Sequence, residues 1–285
     1  MLLEKKKPKI NYQYFKSLSL ILGTIIIFLT MLFSTNGFKD INNIMPIKEY
    51  SDEFKCMDKV IKIKIYTSDP YKAKRALKEV KTLYKGYDNI SNDEILSLVN
   101  SNELDTIDPK LYNMIKYGIN WYELSNGYIN INSANLINLW KSKLPTDEDL
   151  DDIKYDINDI KLLDNNKIEG NLNIDLSHIK FGYATKKIED ALYLLGVKNY
   201  IIETDGLITT GMYYENNGSY KVNINSPFKK DNKLLDTINL DNQSVAYTTL
   251  YQDYVTYDEI DYSLIINPMT KKSSNNFIGV TVISD

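Results

Sequence analysis

Apolar and polar residues alternate in VIKIKIY (60–66), which predicts a half-buried strand. Asp69-Pro70 then offers a cap and a first-turn proline. The helix it starts carries Ala73, Ala76, Leu77, Val80, Leu83, Tyr84 and Tyr87 at helical spacing. Asp108-Pro109 repeats the signal, with Leu111, Ile115, Ile119 and Tyr122 on one face and an end near Gly127. PTDEDLDDI (145–153) predicts a third helix, opened by Thr146 and Asp149 as a capping box. From Asn158 to Ile179 the pattern predicts a strand, an Asn-Asn turn and a returning strand. NIDLSHIKFGYATKKIEDALYLLG (173–196) reads as a short apolar strand, a turn at Gly182 and a helix over 183–196. That helix turns Ala184, Ile188, Ala191, Leu192 and Leu195 inward and ends at Gly196. Strands follow at 199–203, 219–225, 261–266 and 278–283. Helices interleaved with largely antiparallel strands make the fold class α+β.

The N-terminal pattern is different. SLSLILGTIIIFLTMLF (17–33) is uncharged, and five lysines (5, 6, 7, 9 and 16) precede it against Glu4. Its length is at the short end of a membrane span. The lysines place residues 1–16 in the cytoplasm and residues 34–285 outside it, so a single-pass anchor in the cell membrane is expected. FSTNGF is a poor cleavage site, and Cys56 is too far downstream to be a lipoprotein cysteine, so the anchor is read as uncleaved.

Charge and residue counts narrow the chemistry. The formal net charge is −4 although the first sixteen residues are basic, so the body is acidic. An acidic body argues against a nucleic-acid partner. One cysteine excludes an internal disulfide, and with one histidine there is no Cys/His metal cluster in the sequence. Neither a Walker loop nor a G-x-S-x-G elbow occurs. What remains is a strand-to-helix turn holding Asp175 and the lone His178, a place where backbone N–H groups receive anions.

Five segments in order resemble the FAD:protein FMN transferase (ApbE-type) family, from about Phe54 to Ile283. CMDKVIKIKIY aligns Met57 with the family's Met-Gly-Thr strand. GYININSANLINLW (127–140) is similar to its Gly-aromatic-Asp segment, and IDLSHIKFGYATKKI to its Asp-Leu-Gly-Gly-Ile-Ala-Lys-Gly-Tyr-Ala stretch. SVAYTTLYQDY (244–254) and YSLIINPMTKK (262–272) fall on Ala-Thr-Ser-Gly-Asp-Tyr and Tyr-x-His-Ile-Ile-Asp-Pro-x-Thr-Gly. The resemblance implies an ApbE-like domain over 34–285 that splits FAD and joins FMN to a Thr or Ser of a partner. Flavin-carrier membrane proteins of electron-transfer systems would be those partners, with Mg²⁺ as cofactor. It further implies an FAD site made of Met57, Tyr128, Ile129, Asn130, Asp175, Phe181, Gly182 and Ile265. Asp175 would hydrogen-bond the nucleotide, the turn at Gly182 would take phosphates, and His178 would lie near the metal position.

The departures cluster on chemistry. Phe181 stands at the family's lysine, Asn130 at its aspartate, Leu264 at its histidine and Asn267 at the aspartate before proline. Asp285 precedes the family's Asp-Ala-x-x-Thr segment. Preorganised charge-stabilising groups are each worth about 10²–10³ in rate, so a degenerate transferase is expected. The alternative is a catalytically inactive flavin-nucleotide-binding or protein-interaction module of the same fold.

Overall fold

The structure is a computed structural model that describes residues 22–27, 30, 46–215, 218–228 and 233–285. The expected basic tail (1–16) and most of the apolar run (17–33) lie outside the described residues; residues 22–27 and 30 are helical. No helix among the described residues is long and apolar enough to cross a membrane. The chain divides into Met1–Lys48 and Glu49–Asp285, and the fold below is that of the second unit.

Strands β1 (Lys48–Cys56) and β2 (Lys59–Thr67) form a hairpin whose two-residue turn, Met57 and Asp58, has φ 52° and 59°. Paired positive φ is the turn geometry that matches strand twist. Every second residue of β2 points inward, so Ile61, Ile63 and Ile65 are fully buried. They meet helix α1 (Pro70–Ile90), whose expected apolar face buries Ala73, Ala76, Val80, Tyr84 and Tyr87. Asp69 caps it, accepting from the N–H groups of Tyr71 and Lys72. Asp108 caps α3 (Pro109–Leu124) in the same way, accepting from Lys110 N–H. Between them lies α2 (Asp93–Asn100), which the sequence pattern did not predict although Asn92 caps it. A second unpredicted helix, α4 (Ala134–Ser142), precedes the expected α5 (Asp147–Asp152), where Thr146 and Asp149 make the full capping box.

The expected hairpin after Asn158 is short: β3 (Lys161–Leu163) and β4 (Lys167–Glu169), joined through Asn165 and Asn166 at positive φ. The strand expected at 173–176 does not form. Ile174 is held instead by Asn100, which accepts from its N–H at 2.7 Å and donates to its carbonyl at 3.0 Å. Asn173 N–H goes to the Asn132 side chain. Side-chain amides take the place of a neighbouring strand.

Helix α6 (Lys180–Leu194) begins three residues earlier than expected, which corrects the turn at Gly182: that residue sits in the first helical turn. Gly196 follows its end at φ +68°, and Val197 N–H reaches back to Leu192. The rest is sheet: β5 (Tyr200–Thr204), β6 (Leu207–Thr210), β7 (Tyr220–Asn225), β8 (Leu234–Leu240), β9 (Ser244–Thr249), β10 (Tyr254–Tyr257), β11 (Ile260–Ser263) and β12 (Gly279–Ser284). One six-stranded sheet has the order β1-β2-β5-β6-β9-β12, antiparallel from β2 to β12; β7/β8 and β10/β11 are separate hairpins. The strand expected over 261–266 stops at Ser263, leaving 264–268 as loop. A main core joins β2, α1, α3 and α6; a smaller cluster gathers Leu136, Trp140, Leu150 and Leu264.

Candidate functional site

Three segments far apart in sequence meet where the smaller cluster borders the main core. The first is the loop after α3. Gly127, at φ +84°, reverses the chain, and Ser125 Oγ accepts from Ile129 N–H at 2.9 Å. Asn130 Oδ1 accepts from Asn132 N–H at 2.8 Å while its amide donates to Tyr155 O at 2.9 Å. Asn132, fully buried, donates to Asp156 O and Asn171 O and accepts from Asn173 N–H. Asn132 therefore joins the first segment to the second.

The second segment runs through 173–179. Asp175 N–H donates to Ile131 O at 2.8 Å. Its Oδ1 accepts from both the N–H and the hydroxyl of Ser177. That is an Asx turn, and it bends the chain into α6 with His178 exposed on the bend. α6 has no side-chain cap, so the positive end of its dipole faces this bend.

The third segment is the loop 264–273. Trp140 Nε1 donates to Lys271 O at 2.9 Å, and the Tyr155 hydroxyl donates to Pro268 O. Burial raises the Tyr155 hydroxyl above its usual value, which keeps it a donor. Lys271 Nζ donates to Leu150 O at 2.6 Å and Ile153 O at 3.1 Å, capping the C-terminal end of α5.

These segments enclose a cavity of about 220 Å³. Tyr128, Ile129, Asn130, Asp175, His178 and Ile265 all line it, as does Leu264. Tyr128 (61 % exposed) and Ile265 (36 % exposed) leave its mouth open. The volume is below the usual range for a whole ligand, so the cavity suits one end of a larger molecule.

Met57, Phe181 and Gly182 are not among its lining residues. Met57 is buried in the β1/β2 turn, donating its N–H to Asp88 Oδ2 at 3.1 Å. Phe181 is buried and stacks on Tyr84, ring centroids 5.6 Å apart. A cation does stand beside that ring: Lys59 Nζ is 6.0 Å from its centroid and donates to Asp205 O at 2.7 Å. Gly182 has no neighbour within 4 Å of where a Cβ would sit and no positive φ, so nothing here requires glycine.

A protein-held Mg²⁺ does not fit the residues present. Mg²⁺ wants six oxygens in octahedral order. The cavity offers one carboxylate with one oxygen already engaged, and the imidazole of His178 is a softer ligand. Among the described residues no three His, Cys, Asp or Glu side chains gather as a metal site.

Comparison with known proteins settles the family. The ApbE family model matches residues 57–285. The chain belongs to the ApbE family. It is 27 % identical over 225 residues to the FAD:protein FMN transferase of Vibrio cholerae, covering 73 % of this chain and 66 % of that protein. It is 29 % identical over 195 residues to the FAD:protein FMN transferase of Buchnera aphidicola, covering 62 % of this chain and 57 % of that protein. The matches thus span under two thirds of those relatives' lengths. The ApbE protein of Thermotoga maritima superposes with TM-score 0.74 at 19 % identity, covering 83 % of this chain and 82 % of that one. The flavin transferase ApbE from Vibrio cholerae superposes with TM-score 0.67 at 22 % identity, covering 84 % and 82 %. The mixed helix and antiparallel-sheet architecture expected from the sequence is therefore the ApbE fold.

Asn132, Tyr155, Trp140 and Lys271 hold the site together, and sequence reasoning named none of them as site residues. Their partners are backbone atoms, which leave no pattern in a sequence.

Proposed function

We propose that this ApbE-family chain binds FAD as substrate in the cavity between 127–133, 175–179 and 264–268, and that it transfers FMN slowly. The observation that carries the reading is convergence. Tyr128, Ile129, Asn130, Asp175 and Ile265 were assigned to an FAD site from three separate motifs, and they line one cavity. The flavin ring would rest on the Tyr128 and Ile265 side, with the nucleotide running out through the open mouth. In the reaction, a Thr or Ser hydroxyl oxygen of the acceptor bonds to the FMN phosphorus. The pyrophosphate P–O bond breaks, AMP leaves with the bridging oxygen, and the hydroxyl proton passes to solvent.

Such a step depends almost wholly on positioning and charge neutralisation. Slow transfer is supported by what stands at the family's charged positions. Phe181 is packed into the core, Leu264 lines the cavity, and the lining contains neither lysine nor arginine. We also propose that residues 17–33 anchor the chain in the cell membrane with 34–285 outside, acting on flavin-carrier membrane proteins. The support is the lysine-flanked apolar run.

The test uses the full chain in detergent, FAD with and without Mg²⁺, and a flavin-acceptor domain containing Thr or Ser. Calorimetry should show FAD binding, and in-gel fluorescence should show weak covalent labelling or none. Absence of FAD binding would overturn the reading of the site; rapid labelling would overturn the slow-transfer part alone.

A further inference from the structure

The charge on the cavity wall is unusual for a site that takes a pyrophosphate. Aliphatic side chains make most of the lining, and it includes no lysine or arginine. The acidic or basic side chains of the lining are Asp175 and His178. His178, the only histidine of the chain, is thus the one lining side chain able to present a cationic donor.

Its placement is built. Asp175 Oδ1 accepts from Ser177 N–H at 2.8 Å and from the Ser177 hydroxyl, which fixes the bend two residues before the imidazole. Ile179, the next residue, is buried and is the N-cap residue of α6, so the backbone on both sides of His178 is anchored. Asp175 lines the same space, but a carboxylate only accepts hydrogen bonds, so a phosphate is met from the His178 side.

From this arrangement we infer that His178 is the phosphate-binding side chain of the cavity: it donates to the phosphate groups of a flavin nucleotide whose ring lies against Ile265 and Tyr128. The inference rests on the FAD reading above and deepens it. It makes a claim that reading does not: the cavity distinguishes phosphorylated from unphosphorylated flavins through one residue.

Riboflavin, FMN and FAD are the probes, titrated into the full chain in detergent and followed by quenching of flavin fluorescence. Wild type should bind FAD and FMN more tightly than riboflavin. His178→Ala should weaken FAD and FMN about ten- to hundredfold, the loss expected for a hydrogen bond to a charged group, and leave riboflavin unchanged within about twofold. Riboflavin serves as the folding control within the same variant; if His178→Ala fails to fold, His178→Gln carries the test. His178→Lys should keep the preference for phosphate, whereas Lys180→Ala, next door but outside the lining, should leave all three affinities unchanged. Equal FAD affinity in His178→Ala would overturn the inference while leaving the FAD site intact. Proportional loss of riboflavin would also overturn it, because the residue would then be shaping the turn rather than reading phosphate. A wild type that binds no flavin would overturn the FAD reading and this inference together.

Discussion

The two walls of the cavity are held by different kinds of force. The wall formed by 127–133 and 173–179 is pinned to the main core by neutral amides, the buried Asn132 and the partly buried Asn100, and by α6 behind it. The opposite wall, 264–268, hangs on a loop tied by one indole, one phenol and one lysine ammonium to the small cluster around Trp140. α5, to which that ammonium reaches, is itself trimmed by exposed ion pairs, Lys143–Asp149 and Lys272–Asp147. Buried amide networks are insensitive to pH and salt, whereas exposed pairs are screened and titrate. The first wall is therefore the fixed one, and the second is the part of the site that yields first when the fold is loosened.

The largest effect should come from α6 behind the fixed wall. Phe181→Lys puts an ammonium where a buried ring stacks on Tyr84, with Lys59 Nζ already close by. Removing a buried Phe side chain costs about 3–5 kcal/mol before any charge is buried, so urea denaturation should show a loss at least that large. A small loss would mean that residue 181 can turn to water, and would weaken the case for a fixed wall. Next comes Asn132→Ala, which strands Asn173 N–H and the carbonyls of Asp156 and Asn171. We expect about 2–4 kcal/mol of destabilisation, equal at pH 5 and pH 8 because no titrating group is involved.

The same contrast separates what the sequence made legible from what it hid. Helices α1, α3 and α5 were readable because their starts are local chemistry: an Asp before Pro, or Thr146 with Asp149 three residues on. The segment 173–176 was misread as a strand because its apolar alternation is real, yet its backbone partners are Asn100 and Asn132, 74 and 41 residues from the groups they hold. The resemblance sets Phe181 at the family's lysine, and the pattern starts the helix at 183. Starting at Lys180 instead puts Phe181, Ala184, Thr185, Ile188 and Leu192 on one buried face, so position 181 turns towards α1. Tyr128, Ile129, Asn130, Asp175 and Ile265 were legible as motif residues. Their meeting place was not, since it depends on contacts across more than a hundred residues.

On the second wall, Lys271 sits at φ +58°, a left-handed conformation that costs a side-chain-bearing residue about 1–2 kcal/mol. Its ammonium offsets that cost through Leu150 O and Ile153 O. Lys271→Ala loses the tether and keeps the strain, and should cost about 1–2 kcal/mol in urea denaturation. Lys271→Gly loses the tether and relieves the strain, and should fall within about 0.5 kcal/mol of wild type. Equal losses in the two variants would show that the tether alone matters and that the backbone there is unstrained.

The smallest effect tests whether the second wall carries a pH dependence that the first lacks. Asp149 is held down to about 2, from an ordinary 3.8, by the Lys143 ammonium at 2.6 Å and by the N–H and hydroxyl of Thr146. A carboxyl depressed in the folded state stabilises it above the unfolded value, and that stabilisation is lost as pH falls towards the folded value. Asp149→Asn should therefore be slightly less stable than wild type at pH 7, and the gap between them should close as pH drops from about 4 to about 2. Because the group is exposed, the gap at pH 7 should also shrink in 1 M salt, where screening reaches contact distances. Denaturation midpoints of the two proteins at pH 7 and pH 2.5, in low and high salt, give the comparison directly. A gap as wide at pH 2.5 as at pH 7 would place the contribution of Asp149 in neutral capping of α5, and the second wall would then be no more titratable than the first.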